Sequence, residues 1–291
     1  MPRIAIFVDD PDWHARQLVA ALAAFKAEGA VISLRDCAFA VGEGGGAGIR
    51  VPGFEDRLPD AVLARTISAG SFEQITLRLS FLHALGLSGV PVVNDARAIE
   101  RCVDKSMTSF LLHRAGIRTV PTFASESLEQ ARSWAKAREG DLVQKPLFGA
   151  QGKGLIRYPA AEAPVPEPLY NGAYYLQPFI GRDREWRDYR VLVVGGKPVA
   201  AMLRHGTSWI TNVHQGARCE AAALTDRLVE PSLAAAAAVG AAYAGIDLIE
   251  DESGELVVLE VNSMPAWKGL QSVAPCNVAE AIIAHVLANA A

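Results

Sequence analysis

Two stretches hold residue types whose spacing could do chemistry. Near the carboxyl end, Gly245-Ile246-Asp247-Leu248-Ile249 and Leu256-Val257-Val258-Leu259-Glu260-Val261-Asn262 flank a polar segment, residues 250–255. Two apolar runs around a Ser-Gly pair read as a β-hairpin. With Ser253 and Gly254 as a two-residue turn, Glu252 faces Glu255 and Asp247 faces Glu260. Asn262 then shares the face of Glu260, because side chains alternate along a strand. Leu248, Leu259 and Val261 are expected on the other face, in the core. Two carboxylates and an amide make a hard-oxygen set suited to Mg²⁺ or Mn²⁺. A solvated acidic hairpin carries the same signature. Against it stands Glu260 within an apolar strand, where a carboxylate is costly to bury without a cation.

The second stretch is Leu142-Val143-Gln144-Lys145-Pro146, followed by the glycine-rich run Gly149-Ala150-Gln151-Gly152-Lys153-Gly154. Backbone N–H groups of such a loop can wrap phosphates, and a lysine supplies a point charge. Lys105 and Lys145 could equally be solvated surface lysines, but Lys145 sits in an otherwise apolar strand. The other glycine cluster, Gly42 to Gly48, lacks the Lys-Ser/Thr ending of a phosphate loop and reads as a plain loop. There is no Gly-x-Ser-x-Gly motif, and nothing calls for a Cys–His dyad.

These groups need a scaffold, and 291 residues suffice for two domains or one large one. Residues 1–95 read as an open parallel α/β domain. Its strands are expected at Ile4–Val8, Val31–Leu34, Asp60–Arg65 and Val90–Asn94, with helices from Asp12 to Glu28 and Phe72 to Leu87. Arg65 falls at a strand's carboxyl end, where ligands of such sheets sit; it is either a surface arginine or a carboxylate clamp. Residues 96–180 hold a helix running from Asp104 to Gly116 and a second from Ser127 to Arg138, with Ser127 and Gln130 spaced as a capping box. The lysine strand, Leu155–Tyr158 and Ala173–Ile180 follow. Residues 181–291 hold a long hairpin turning at Gly195-Gly196, with Arg190 and Arg204 on its two strands. A polar segment, Trp209 to Gly216, and a helix from Leu224 to Ala244 lead into the acidic hairpin.

Composition excludes some classes. A net charge of −4 and a pI near 5.9 argue against a nucleic-acid binder built on phosphate contacts. The cysteines Cys37, Cys102, Cys219 and Cys276 are far apart, fitting a reducing cytoplasm and neither a disulfide framework nor a zinc site. The amino terminus reaches Asp9 and Asp10 too soon for a signal-peptide core, and the Ala-rich run from Leu233 reads as a buried helix. No membrane partner is expected.

Taken in order, several motifs resemble the ATP-grasp ligases, and more closely their RimK-like, typically glutamate-adding, members. They are Asp104-Lys105, Gln144-Lys145-Pro146 with its glycine loop, Gln177-Pro178-Phe179-Ile180, Asp188-x-Arg190, Thr211-Asn212 and Asp247…Glu260-x-Asn262. The resemblance covers nearly the whole chain and implies an ATP-grasp fold behind an amino-terminal α/β domain. It implies that Lys105 and Lys145 hold the phosphates of ATP, that Gly149, Gln151, Gly152 and Gly154 belong to the loop closing over them, and that Gln177 to Ile180 meet the adenine. Asp188, Thr211 and Asn212 fall beside the nucleotide. Asp247, Glu260 and Asn262 match ligands of Mg²⁺ or Mn²⁺, with Glu260 bridging two ions, and Arg190 and Arg204 match arginines at the transferred phosphate. The implied reaction turns a carboxylate into an acyl phosphate, which an amino acid, expected to be L-glutamate, then attacks. The implied acceptor is a small pterin-, deazaflavin- or furan-type cofactor or a protein terminus, and the implied assembly a dimer or tetramer. Another ATP-grasp peptide or D-alanine-type ligase and a non-catalytic nucleotide-binding module remain as alternatives.

The chain departs from the family after Asn262. A Pro-Gly and Thr-Thr-Gly stretch is replaced by Pro265-Ala266-Trp267-Lys268-Gly269, which leaves the acceptor open. Trp267 either packs the loop or stacks on an aromatic acceptor. Lys268 either points to water or supplies a cation for a side-chain carboxylate.

Overall fold

A computed structural model describes residues 1–42, 48–149, 152–162, 164, 170–181 and 186–290. The core of the first glycine cluster and Gln151 lie outside the described residues.

The chain begins with β1 (Arg3–Phe7), α1 (Trp13–Ala24), β2 (Glu28–Ile32), the short pair β3 (Ala38–Phe39) and β4 (Ile49–Arg50), β5 (Ala61–Ala64), α2 (Phe72–Leu87), β6 (Val92–Val93) and α3 (Ala96–Val103). Strands β2-β1-β5-β6 form a parallel sheet. Both its faces are covered, which is why β1 and β5 are continuous apolar runs. Ile4, Ile6 and Leu63 face one core with Ile282 and Val286, while Ala5, Phe7 and Val62 face another with Phe81 and Leu82 of α2. The helix opened by Asp12 ends at Ala24, not Glu28, because Lys26 takes a left-handed φ of 54°. The second strand therefore starts earlier than expected, at Glu28.

Next come α4 (Lys105–Arg114), β7 (Phe123–Ser125), α5 (Leu128–Lys136), β8 (Asp141–Lys145), β9 (Ile156–Pro159) and β10 (Tyr174–Pro178). Asp104 caps α4 by accepting from the Ser106 and Met107 amides. Ser127 caps α5, but Gln130 turns to Ser125 Oγ, so that capping box is half made; Ser71 and Gln74 make a complete one on α2. The antiparallel sheet β7-β10-β8-β9 packs on α5 through Leu142, Tyr158 and Leu176.

The last part holds β11 (Arg187–Val194), β12 (Lys197–His205), β13 (Arg218–Ala222), α6 (Asp226–Val239), β14 (Tyr243–Glu250), β15 (Leu256–Asn262), α7 (Lys268–Gln271) and α8 (Val278–Asn289). Strands β13-β12-β11-β14-β15 form one antiparallel sheet. Gly195 and Gly196, at φ 58° and 71°, make the expected two-residue turn between β11 and β12. The Ala-rich run is cut at Gly240 (φ 76°), so α6 stops at Val239 and its end belongs to β14. Packing crosses the chain-order divisions. Ala98, Cys102 and Leu112 of α3 and α4 join the core under this last sheet, and α8 covers the first sheet. Among the described residues no helix is long and apolar enough to cross a membrane.

The acidic hairpin differs from its expected form in two ways that cancel. Glu250 pairs with Leu256, so the loop is Asp251–Glu255 and Glu252 does not face Glu255. Asp251 organises this loop, its carboxylate accepting from the Ser253 and Glu255 amides. That would slip the register by one, but a bulge inserts Leu259 and restores Asp247 opposite Glu260. Leu248 and Val261 are buried as expected, whereas the extra residue, Leu259, lines the cleft.

Candidate active site

Period-two alternation explains where the charges fall. On β11, Leu192 and Val194 share a face with Asp188 and Arg190; on β12, Ala200 and Met202 share a face with Arg204. The apolar half of this face packs in the core with α8, and the charged half opens into a cleft of about 690 Å³. Asp247, Glu260 and Asn262 line the same cleft from β14 and β15.

At its centre Arg190 holds both oxygens of Asp247, at 2.7 Å each, and Arg204 reaches one of them at 3.0 Å. Arg204 also grips both oxygens of Asp188, through Nε at 2.8 Å and through Nη2. Asp188 is 3% exposed and Arg204 likewise 3%. Burial would raise the Asp247 carboxyl, but the two guanidiniums outweigh it and hold it below its usual range. Asp188 is raised, burial outweighing Arg204. The four side chains form a neutral, fully paired network that fixes both arginines.

The lysines stand at the glycine-loop end. Burial pushes the Lys145 ammonium down to about 8, with Glu260 opposing the shift and Lys105 adding to it. Lys105 is lowered by burial as well, and its Nζ donates to the carbonyls of Gly149 (2.9 Å) and Leu147 (3.3 Å). Gly152 (φ 67°) lies so close to the segment after Trp209 that an added Cβ would stand 2.8 Å from Ile210; Gln215 donates to its carbonyl. Gly154 (φ 71°) receives the Tyr170 hydroxyl.

The Gln177 side chain turns into a buried network, donating to Thr122 Oγ1 and the Tyr175 hydroxyl, both at 2.9 Å. Pro178, Phe179 and Ile180 line the cleft. The Arg157 guanidinium lies 3.6 Å over the Phe179 ring, which meets the edges of Trp186 and Trp209. Thr211 and Asn212 line the cleft too, and Asn212 caps a short turn by accepting from the His214 amide.

The metal reading is met in part by the donor set. Among the described residues no hydrogen bond or ion pair takes up the Glu260 carboxylate, and the Asn262 amide nitrogen is buried without a partner. Both residues line the cleft, and the Glu260 carboxylate fits a hard divalent ion, for which Asn262 would have to turn its amide oxygen rather than its nitrogen. Asp247 is different, since both its oxygens are engaged by arginines and a metal would have to share them.

At the far end of the cleft stand Arg65 and Lys268, both singled out from the sequence as candidates, with Asp12 and His14, which were not. Asp12, His14 and Arg65 of the first domain meet residues 264–268 there. Successive backbone groups of that loop are held: Met264 O by Arg65, Pro265 O by the Tyr243 hydroxyl, Ala266 O by Arg190 and Trp267 N by His14. Trp267 is 1% exposed, edge-on to Trp13 and His14, so it packs the loop and is not a stacking platform. Lys268 is exposed on the cleft wall. Asn94 was read only as a strand end, yet its side chain joins the first sheet to the last. It donates to Tyr243 O and Ser263 O and accepts from Tyr243 N. His14 and Asn94 carry no local signal, because their partners come from distant segments.

A model of the RimK-like ATP-grasp domain matches residues 102–286. The chain belongs to the RimK-like ATP-grasp family. It is 38% identical over 205 residues to a tetrahydromethanopterin:alpha-L-glutamate ligase of Methanococcus maripaludis, covering 68% of this chain and 70% of that one. It is 28% identical over 204 residues to the alpha-aminoadipate–LysW ligase of Saccharolobus solfataricus, covering 67% and 74%. In fold it matches the ATP-grasp ligase PsnB, at a TM-score of 0.77 with 22% identity over 99% of both chains. The protein is therefore an ATP-dependent ligase that forms C–N bonds, and the ATP-grasp fold expected from the motifs is the one it has. Ligases of this fold work with ATP and a divalent cation, Mg²⁺ or Mn²⁺.

Proposed function

We propose that this RimK-like ligase activates the carboxylate of a small acceptor as an acyl phosphate and joins it to the amine of L-glutamate. The observation that carries the chemistry is the gathering of Lys105, Lys145, Arg190 and Arg204 around Glu260 and Asp247 in one cleft. Phosphoryl transfer to a carboxylate needs positioning and positive charge, not a covalent protein nucleophile. Lys105 and Lys145 are the groups for the ATP phosphates, with Gly149, Gly152 and Gly154 at the same end of the cleft and Pro178 to Ile180 for the adenine. Asp188 orients Arg204 by gripping its guanidinium. Arg190 and Arg204, fixed by their aspartates, hold the acceptor carboxylate and the charge it gains. Glu260 and Asn262, with Asp247 as a shared donor, would hold the divalent ions. Such ions supply charge neutralisation at the phosphates. The amine loses its proton as it attacks, and inorganic phosphate leaves.

Similarity to ligases named for tetrahydromethanopterin and glutamate favours a pterin-type carrier over a protein terminus. The four unpaired cysteines support a cytoplasmic setting. ADP release should be measured over a panel of glutamate, aspartate, glutamine and lysine, each against a pterin-type carboxylate and a peptide carboxyl terminus. Release that needs glutamate and the pterin-type carboxylate is expected. Preference for lysine or for the peptide would overturn the reading.

A further inference from the structure

Arg65 is 4% exposed, yet it is poorly neutralised. Nη1 donates to the Met264 carbonyl at 3.2 Å, Nη2 stands 4.0 Å from Asp12, and Nε has no acceptor. Burying a guanidinium this way is costly unless a closer anion arrives. Asp12 cannot serve fully. One oxygen caps α1 through the Ala15 amide, and the other accepts from His14 Nδ1 at 2.6 Å. His14 cannot carry a balancing role either, since its Nε2 accepts from the Trp267 amide and the ring is neutral. Lys268 adds a second cation on the same wall, its Nζ 6.0 Å from the Trp13 ring centre. The corner thus holds two cations against one committed carboxylate. Arg190 of the central network reaches this loop at the Ala266 carbonyl, 3.4 Å away, but its charge is matched by Asp247.

The geometry points to a carboxylate subsite at this corner, in which Arg65 and Lys268 hold a substrate carboxylate that does not itself react. This rests on the ligase reading above and deepens it. Every α-amino acid acting as an amine nucleophile brings such a carboxylate, glutamate brings two, and an acceptor can bring another. Arg65, which lines the cleft, supplies the buried charge, and Lys268 the exposed one. The Asp12 carboxylate, committed to the Ala15 amide and to neutral His14, stands 4.0 Å off, and the held Trp267 loop keeps Arg65 in place without a closer anion.

The test compares kcat/KM for each substrate with that of its singly amidated analogue: glutamine and glutamate α-amide for the amino acid, and the corresponding amide for the acceptor. In the wild type, amidating the carboxylate bound at the corner should cost on the order of 10²-fold. In Arg65→Gln that penalty should collapse towards unity, while KM for ATP stays within about twofold. The pair whose penalty collapses identifies whose carboxylate is held. Lys268→Gln, at an exposed position, should lower the same penalty several-fold, and it decides the matter should Arg65→Gln fail to fold. All penalties surviving in the folded variants would overturn the subsite, as would a loss confined to ATP affinity. A wild type that uses another amino acid would defeat the glutamate reading alone, because the amide comparison is then made on the substrate it does use.

Discussion

Lys145 ends a strand whose preceding residues, Leu142, Val143 and Gln144, are buried, and burial lowers its ammonium to about 8. A lysine in that condition is a strong phosphate partner while it is charged. Lys145→Ala should weaken ATP at least ~10-fold, the scale of one lost charge-assisted contact, and leave carboxylate substrates almost unchanged. Calorimetric titration of each ligand checks this, and unchanged ATP affinity would return Lys145 to an ordinary surface role. The sign of the pH effect follows. ATP favours the charged form, so affinity is complete below about 8 and declines as pH rises above it. Lys145→Arg, which keeps its charge, should flatten that decline; an equally steep decline in the Arg variant would assign it to another group. Glu260 makes a separate case. Glu260→Gln keeps the shape and removes the charge offered to the ions, so turnover should fall by more than ~10²-fold. Wild-type turnover by this variant at ordinary Mg²⁺ would remove Glu260 from the ion site.

At the scale of elements, the site depends on how the first sheet is fastened to the last. Asn94 makes that joint with three buried hydrogen bonds to residues 149 and 169 positions away. Asn94→Ala strands the Tyr243 amide and two carbonyls, so stability should drop by about 3 kcal/mol. A urea midpoint lowered at unchanged slope would show it, and a loss below about 0.5 kcal/mol would mean the sheets are held by apolar packing alone. None of this could be read from Asn94 in the sequence, since its partners are named only by the tertiary fold. Signals that are local were legible: α2 runs over the residues its period marks, and Gly195-Gly196 turn as a two-residue hairpin loop should. The acidic hairpin lies between these cases. Alternation put Asp247 opposite Glu260, but through a turn and a bulge that sequence spacing cannot separate. Of the far corner, Arg65, Trp267 and Lys268 were legible as candidates, whereas Asp12 reads only as a helix start and His14 gives no signal until Trp267 is folded against it.

On the scale of the molecule, one cleft takes a neutral charge network at its centre, lysines under a glycine loop at one end and a buried arginine at the other. On the proposed reading, ATP lies beside the lysines, the acceptor carboxylate at Arg190 and Arg204, and the carboxylate that does not react at Arg65. The central claim is that the acceptor's own carboxylate takes the γ-phosphoryl group before the amine attacks. It is tested most directly with an acceptor whose reacting carboxylate carries ¹⁸O in both oxygens, incubated with enzyme, ATP, Mg²⁺ and glutamate. The oxygen that bridges to phosphorus leaves with it, so one labelled oxygen should appear in the inorganic phosphate for each amide bond formed. Phosphate free of label, with both labelled oxygens accounted for elsewhere, would contradict an acyl phosphate.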